Sequence, residues 1–200
     1  MTSAKRTYTK KVIIFASGSG TNAENIIRHF QKTDFADVIA VFSNKASAKV
    51  LKRAHDLDVK ALCFDREAFF KTNDVLNILK DLKPDLIVLA GFLWLFPSKI
   101  IQAFPNKVIN LHPALLPKYG GKGMFGEHVH KAVIANNEQE TGITIHYVNE
   151  HYDEGKIIFQ ATVPVNATET PESLASKIHE LEYEHFPKVI QNLLESPVSE

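Results

Sequence analysis

Four short apolar runs, Val12 to Ala16, Val38 to Phe42, Leu86 to Ala90 and Val108 to Leu111, recur along the chain with amphipathic segments between them. Runs of four or five apolar residues with β-branched members fit strands buried on both faces, and strands that alternate with helices build a parallel sheet. The pattern predicts an α/β fold: a Rossmann-like, open, mostly parallel twisted sheet with helices on both faces. Helices are expected over Asn22 to Gln31, Ala48 to Leu57, Arg66 to Leu82 and Glu127 to Ala135. Thr21-Asn22-Ala23-Glu24 has capping-box spacing, in which Thr21 caps and Glu24 reaches back. The last helix is expected to open at Thr170-Pro171-Glu172, with a hydroxyl cap, proline at the first helical position and an acid in the first turn. Pro187 is expected to end or kink it. The alternating runs Thr141 to Val148 and Lys156 to Val163 read as strands joined by a loop.

With 200 residues the chain is expected to divide into a polar tail, residues 1–10, and one domain, residues 11–200. The 23 basic and 23 acidic residues balance, so nothing points to a nucleic-acid or acidic-membrane partner, and small-molecule substrates are the expectation. Cys63 is the only cysteine, which excludes an internal disulfide and suits a reducing cytoplasm. It is expected to pack at the end of a short buried strand. Val12 to Ala16 is too short for a signal-peptide core, and no run reaches transmembrane length. Monomer and homodimer both remain open.

Asn110-Leu111-His112-Pro113 ends the fourth apolar run. Residues two apart on a strand share a face, so Asn110 and His112 project together. Pro113 cannot extend the ladder. An amide and an imidazole then stand at a strand's carboxyl edge, where open α/β sheets bind ligands, and together they suit stabilisation of a developing oxyanion. Asp153, in the loop His151-Tyr152-Asp153-Glu154-Gly155, is the candidate partner expected to keep His112 charged. The competing reading makes Asp153 a turn residue and His112 a satisfied strand-end histidine.

Ser17-Gly18-Ser19-Gly20-Thr21-Asn22 is a glycine-rich turn opening a helix, a phosphate site by virtue of its backbone N–H groups. It also fits the loose dinucleotide fingerprint, which leaves an NADP- or nucleotide-binding module without turnover as an alternative. The residues after the second strand, Ser43-Asn44-Lys45, lack the acid that would hold a nicotinamide ribose, although Lys45 could meet a 2′-phosphate. A plain turn is the third reading. Nine histidines, His128 and His130 among them, show no closed ligand spacing, so no metal is expected. His179 and Glu182 share a face of the last helix.

Asn110 to Tyr119, Thr141-Gly142-Ile143-Thr144 and Asp153-Glu154-Gly155 together resemble the signature of the folate-dependent formyltransferases, and the likeness runs from Val12 to about Pro187. The resemblance implies direct formyl transfer, with no covalent enzyme intermediate, from 10-formyltetrahydrofolate as co-substrate to the amine of glycinamide ribonucleotide in de novo purine biosynthesis. Hydrolysis of 10-formyltetrahydrofolate, or formylation of another amine, is the alternative within the family. By resemblance Asn110, His112 and Asp153 are catalytic. Gly20, Thr21 and Asn22 hold the ribonucleotide phosphate, and Glu182 meets its ribose or amine. Arg66, Leu95, Phe96, Asn110, Glu150 and Asp153 belong to the folate site, with the backbone from Glu150 to Asp153 along the pterin slot. Trp94 departs from the family, many members of which carry arginine there. Gly120 to Gly126 resembles the family's lid loop in unfamiliar wording.

Overall fold

The computed structural model describes residues 9–195. A seven-stranded sheet forms the centre, in the order β3-β2-β1-β4-β5-β6-β7. Its strands are β1 (Lys10–Phe15), β2 (Ala36–Ser43), β3 (Lys60–Cys63), β4 (Leu86–Leu89), β5 (Val108–His112), β6 (Glu140–Tyr147) and β7 (Ile157–Pro164). The first five run parallel, and β6 and β7 add antiparallel. The helices are α1 (Thr21–Phe30), α2 (Lys49–Asp56), α3 (Asp74–Leu82), α4 (Ser98–Ala103), α5 (Glu127–Ala135) and α6 (Pro171–Glu195).

Strand parity sorts the core onto two faces. Val12 and Ile14 of β1 pack with Ile26, Ile27, Phe30, Val50, Ile178 and Phe186 under α1, α2 and α6. Ile13 and Phe15 turn the other way, onto Phe69, Val75, Leu79 and Ile100. Both faces are apolar because both are covered, which is why these strands read as continuous runs rather than alternation.

Several expectations are corrected. β1 starts at Lys10, inside the residues expected as tail, while residues 1–8 of that tail lie outside the described residues. The capping box does not form: Gly20, with φ 76°, precedes α1 without a side-chain cap, and Glu24 is drawn instead to Arg28 and Arg53. The single helix expected over Arg66 to Leu82 is a π-helical turn, Glu67–Lys71, then a break at Thr72 and Asn73, then α3. Cys63 is exposed, because β3 is an edge strand paired only with β2. α4 has no counterpart in the sequence reading.

Pro187 does not end α6, which continues to Glu195. Proline has no N–H for the carbonyl four residues back, here Tyr183. Asn25 of α1 donates its Nδ2–H to that oxygen at 3.0 Å, so the orphaned acceptor is satisfied from a neighbouring helix. Thr170 does cap α6, its Oγ1 accepting the Ser173 N–H at 3.2 Å. Restoring the backbone donor should make Asn25 dispensable. Asn25→Ala is expected to cost about 1 kcal/mol in urea unfolding, and markedly less in a Pro187→Ala background. Equal costs in the two backgrounds would remove this account of the proline.

Candidate active site

Chain growth reverses direction between β1 and β4, and a cavity of about 660 Å3 opens where their carboxyl ends meet β5. Open α/β sheets take ligands at this switch point. Residues 17–22, 89–96, 110–113, 121–126 and 151–153 line it, with His179 and Glu182 from α6.

Asn110, His112 and Asp153 are brought together, as the sequence anticipates. Asn110 stands directly across the β5–β6 ladder from His146, and His112 across from Thr144. Facing residues of an antiparallel pair share a face, so β6 adds a second imidazole to the cluster. Asp153 Oδ2 lies 3.5 Å from His112 Nδ1 and accepts the Gly121 N–H at 2.9 Å. Its Oδ1 accepts from Asn110 Nδ2 at 3.3 Å and sits 3.5 Å from His146 Nε2. His146 gives Nδ1–H to the Tyr147 carbonyl at 2.9 Å, while its Nε2 is 3.1 Å from Asn110 Nδ2.

The charge expectation for His112 is corrected. The ring is 3 % exposed, and burial lowers its pKa below the ordinary 6.5 against the pull of Asp153 and of the Tyr119 carbonyl. His112 is therefore neutral at pH 7, its Nε2–H donated to Tyr119 O at 2.7 Å. Burial alone would raise the Asp153 pKa, but the His146 hydrogen bond, the His112 ring and the Gly121 N–H outweigh it and hold the carboxyl below its usual 3.8. The Asp153 carboxylate is ionised at pH 7. Both candidate oxyanion donors are bonded to protein acceptors, Asn110 Nδ2 to Asp153 and His112 Nε2 to Tyr119.

The glycine turn reaches the cavity, with Lys45 beside it. Asn22 does not offer its amide N–H groups freely: Nδ2 donates to Glu182 Oε2 at 2.8 Å, and the buried Oδ1 has no protein partner. Glu182 is 6 % exposed, and burial raises its carboxyl pKa against the opposing effects of Asn22 and, 3.9 Å away, His179. Gly20, Thr21, Asn22 and Glu182 thus share one end of the cavity.

Leu95, Phe96 and Trp94 supply apolar wall. Phe96 is also core, edge-on to Phe15 at 5.1 Å. Arg66 and Glu150 are not on the wall. The Arg66 guanidinium lies 5.0 Å over each of the Phe70 and Trp94 rings, one ring back from the cavity. Glu150 is exposed and accepts from Gln102 Nε2 at 3.3 Å. Two wall residues had no role in the sequence reading. His130, 5 % exposed with Nδ1 unpartnered, was weighed only as a metal ligand. Lys45 was weighed only for a dinucleotide. Apolar neighbours at Val129 and Val133 were the available signal that His130 faces inward. Among the described residues no group of three or more His, Cys, Asp or Glu side chains is arranged to hold a metal ion, and no helix is long and apolar enough to cross a membrane.

A doubly wound α/β sheet whose switch-point cavity joins a glycine-rich turn to an Asn–His–Asp cluster around a buried imidazole defines a class of ligand-binding enzyme rather than a structural domain. The formyl transferase family model matches residues 10–190, and the chain belongs to that family. Phosphoribosylglycinamide formyltransferase, chloroplastic, of Vigna unguiculata is 36 % identical over 94 % of the chain. The trifunctional purine biosynthetic protein adenosine-3 of Gallus gallus is 34 % identical over 90 %. The chain spans 62 % of the first protein's length and 18 % of the second's. The crystal structure of glycinamide ribonucleotide transformylase 1 from Symbiobacterium toebii superposes with a TM-score of 0.86 at 31 % identity, covering 95 % of this chain and 90 % of that one.

Two buried imidazoles, His112 and His130, have folded pKa values below the 6.5 of the unfolded chain. The unfolded state therefore binds more protons in that window, so their contribution to stability is full above about pH 6.5 and is lost as pH falls through it. Asp153, with its lowered carboxyl pKa, adds to the loss only at and below about pH 4. The urea midpoint is expected to fall between about pH 7.5 and about pH 5.5, and His112→Asn to flatten the slope. An unaltered slope in that variant would mean that His112 is not buried as a neutral ring.

Proposed function

We propose that the protein transfers the formyl group of 10-formyltetrahydrofolate to the amine of glycinamide ribonucleotide, a step of de novo purine biosynthesis. The observation that supports this reading is a single cavity lined by a glycine-rich helix start, an apolar aromatic wall and the Asn110–His112–Asp153 cluster. A phosphorylated amine and a flat heteroaromatic donor need those two surfaces, and acyl transfer between them needs the third. The names of the relatives support the same assignment. The family draws its formyl group from a folate-derived donor, and no metal is required for the chemistry.

In the proposed reaction the glycyl nitrogen attacks the formyl carbon, and the carbonyl electron pair moves onto oxygen. Asn110 and His112 then donate to that oxygen, Asn110 by turning over its longer bond to Asp153 and His112 by releasing the Tyr119 carbonyl. Collapse of the tetrahedral species breaks the bond to the folate nitrogen. A proton passes from the attacking nitrogen to the leaving one, with Asp153 as the ionised acceptor along the way. Gly20, Thr21 and Asn22 hold the phosphate through backbone N–H groups, while Glu182, tied to Asn22, faces the ribose or amine. Leu95, Phe96 and the backbone between Glu150 and Asp153 hold the pterin, and Arg66 reaches the donor's outer end from its place over Trp94. Gly120 to Gly126 closes over the site. The lone thiol, Cys63, is exposed and suits a reducing cytoplasm.

Purified protein given glycinamide ribonucleotide and 10-formyltetrahydrofolate should release the deformylated folate, read by absorbance, and should release none when the ribonucleotide is left out. Release without it would replace transfer by hydrolysis, and none in either mixture would defeat the reading. Asn110→Ala should lower kcat by about a hundredfold to a thousandfold, the usual cost of one preorganised oxyanion donor. Asp153→Asn, which keeps the shape and removes the charge, should lower kcat by about a hundredfold or more while both KM values stay within about threefold. Retention of most of the rate would remove Asp153 from proton transfer.

A further inference from the structure

The glycine turn is held from behind by α2. Val50, in the first turn of that helix, donates its backbone N–H to the Gly18 carbonyl oxygen at 3.2 Å. Arg53, three residues on, donates Nε–H to the Ser19 carbonyl oxygen at 2.9 Å. The Val50 side chain lies so close over Gly20 that any side chain at residue 20 would collide with it. Residues 17–22 line the cavity, whereas Val50 and Arg53 do not. Across a planar trans peptide the C=O of one residue and the N–H of the next point in opposite directions. Drawing the Gly18 and Ser19 carbonyls onto α2 therefore turns the Ser19 and Gly20 N–H groups away from α2. Neither N–H has a hydrogen-bond partner among the described residues.

Arg53 is itself anchored. Its Nη1 donates to Glu24 Oε2 in a short contact, and Arg28 donates to Glu24 Oε1 through Nε at 3.0 Å and Nη2 at 2.9 Å. The Arg28 hydrogen bond, with help from Arg53, holds the Glu24 carboxyl below its usual pKa. A planar guanidinium can serve a carboxylate on one edge and a carbonyl on another, which an ammonium on a flexible stem does poorly. Glu24, freed from the capping box it was expected to form, has become the fixed point of this brace.

We propose that Arg53 is a positioning residue for the substrate's phosphate: from outside the cavity it holds the Ser19 peptide in the orientation that presents the Gly20 N–H to the anion. This rests on the function proposed above. Without the guanidinium the Ser19–Gly20 peptide is free to turn, and the phosphate loses a preorganised donor rather than a charge it touches.

The full chain carrying Arg53→Met or Arg53→Lys is compared with wild type by steady-state kinetics in both substrates, and by amide chemical shifts of Ser19 and Gly20 during titration with inorganic phosphate. For Arg53→Met the ribonucleotide KM and the phosphate dissociation constant should each rise about tenfold, with the donor KM and kcat within about twofold. Arg53→Lys should fall between the two. An unchanged ribonucleotide KM with an unchanged phosphate titration overturns the proposal. So does a loss shared by both KM values and kcat, which would mark a general structural role. If Arg53→Met does not fold, Glu24→Gln keeps the carbonyl bond and weakens its anchor. It should raise the ribonucleotide KM about threefold, and no rise overturns the proposal. Wild-type protein that binds phosphate at Ser19 and Gly20 yet turns over no ribonucleotide refutes the proposed function, and the phosphate titration then decides on Arg53 alone.

Discussion

An ionised carboxylate with little access to water persists only where donors from the protein replace the lost hydration, and Asp153 is such a group. Its neighbours come from separate stretches of chain: Asn110 and His112 from β5, His146 from β6, and the Gly121 N–H from the glycine-rich segment. Assembling them requires β6 to run antiparallel beside β5 in one register, since a slip of one residue would turn His146 to the opposite face. It also requires the β6–β7 connection to cross very near its own strand. At Gly155 any Cβ would strike the Tyr147 carbonyl, and Asp153 itself sits in the left-handed region at φ 57°. Thr144 secures the third stretch, accepting the Leu116 N–H at 3.0 Å and donating to the Ala114 carbonyl at 2.7 Å.

The two ends of the cavity rest on different physics. At the β1 end, shape comes from backbone held from behind: α2 and the Glu24–Arg53 pair bond the glycine turn from outside the cavity. At the β4 end, shape comes from rings packed largely edge to face. Phe15, Phe69, Phe92 and Phe96 meet at centroid distances between 5.1 and 6.2 Å, and Trp94 caps them beneath Arg66. Trp94 thus serves as the platform that holds the Arg66 guanidinium.

Much of this was legible in residue order. The buried strands, the hairpin, α5 and the Thr170 cap are local patterns that need no partner to be read. Strand parity made Asn110 and His112 legible as neighbours, whereas Asp153 was legible only as a candidate partner, joined to them by the resemblance to the formyltransferases. The misreadings share a different cause. Glu24 was assigned to a cap, yet the guanidinium groups of Arg28 and Arg53 compete for it and win, and Arg53 belongs to another helix. Pro187 was read as a stop, yet Asn25, far away in sequence, takes over the lost hydrogen bond. His112 was read as charged because its partner was visible while its burial was not.

Sequence alone determined the layering of the sheet, the shared face of Asn110 and His112 at the end of β5 and the glycine-rich turn that opens α1. Each follows from periodicity or from the chemistry of adjacent residues. Tertiary structure alone decided the burial of His112 beside Asp153, the inward turn of His130, the retreat of Arg66 and Glu150 from the cavity wall and the bond from Arg53 to the glycine turn. Those outcomes depend on desolvation and on partners distant along the chain. Desolvation is a property of everything that surrounds a group, and no stretch of sequence contains its own surroundings.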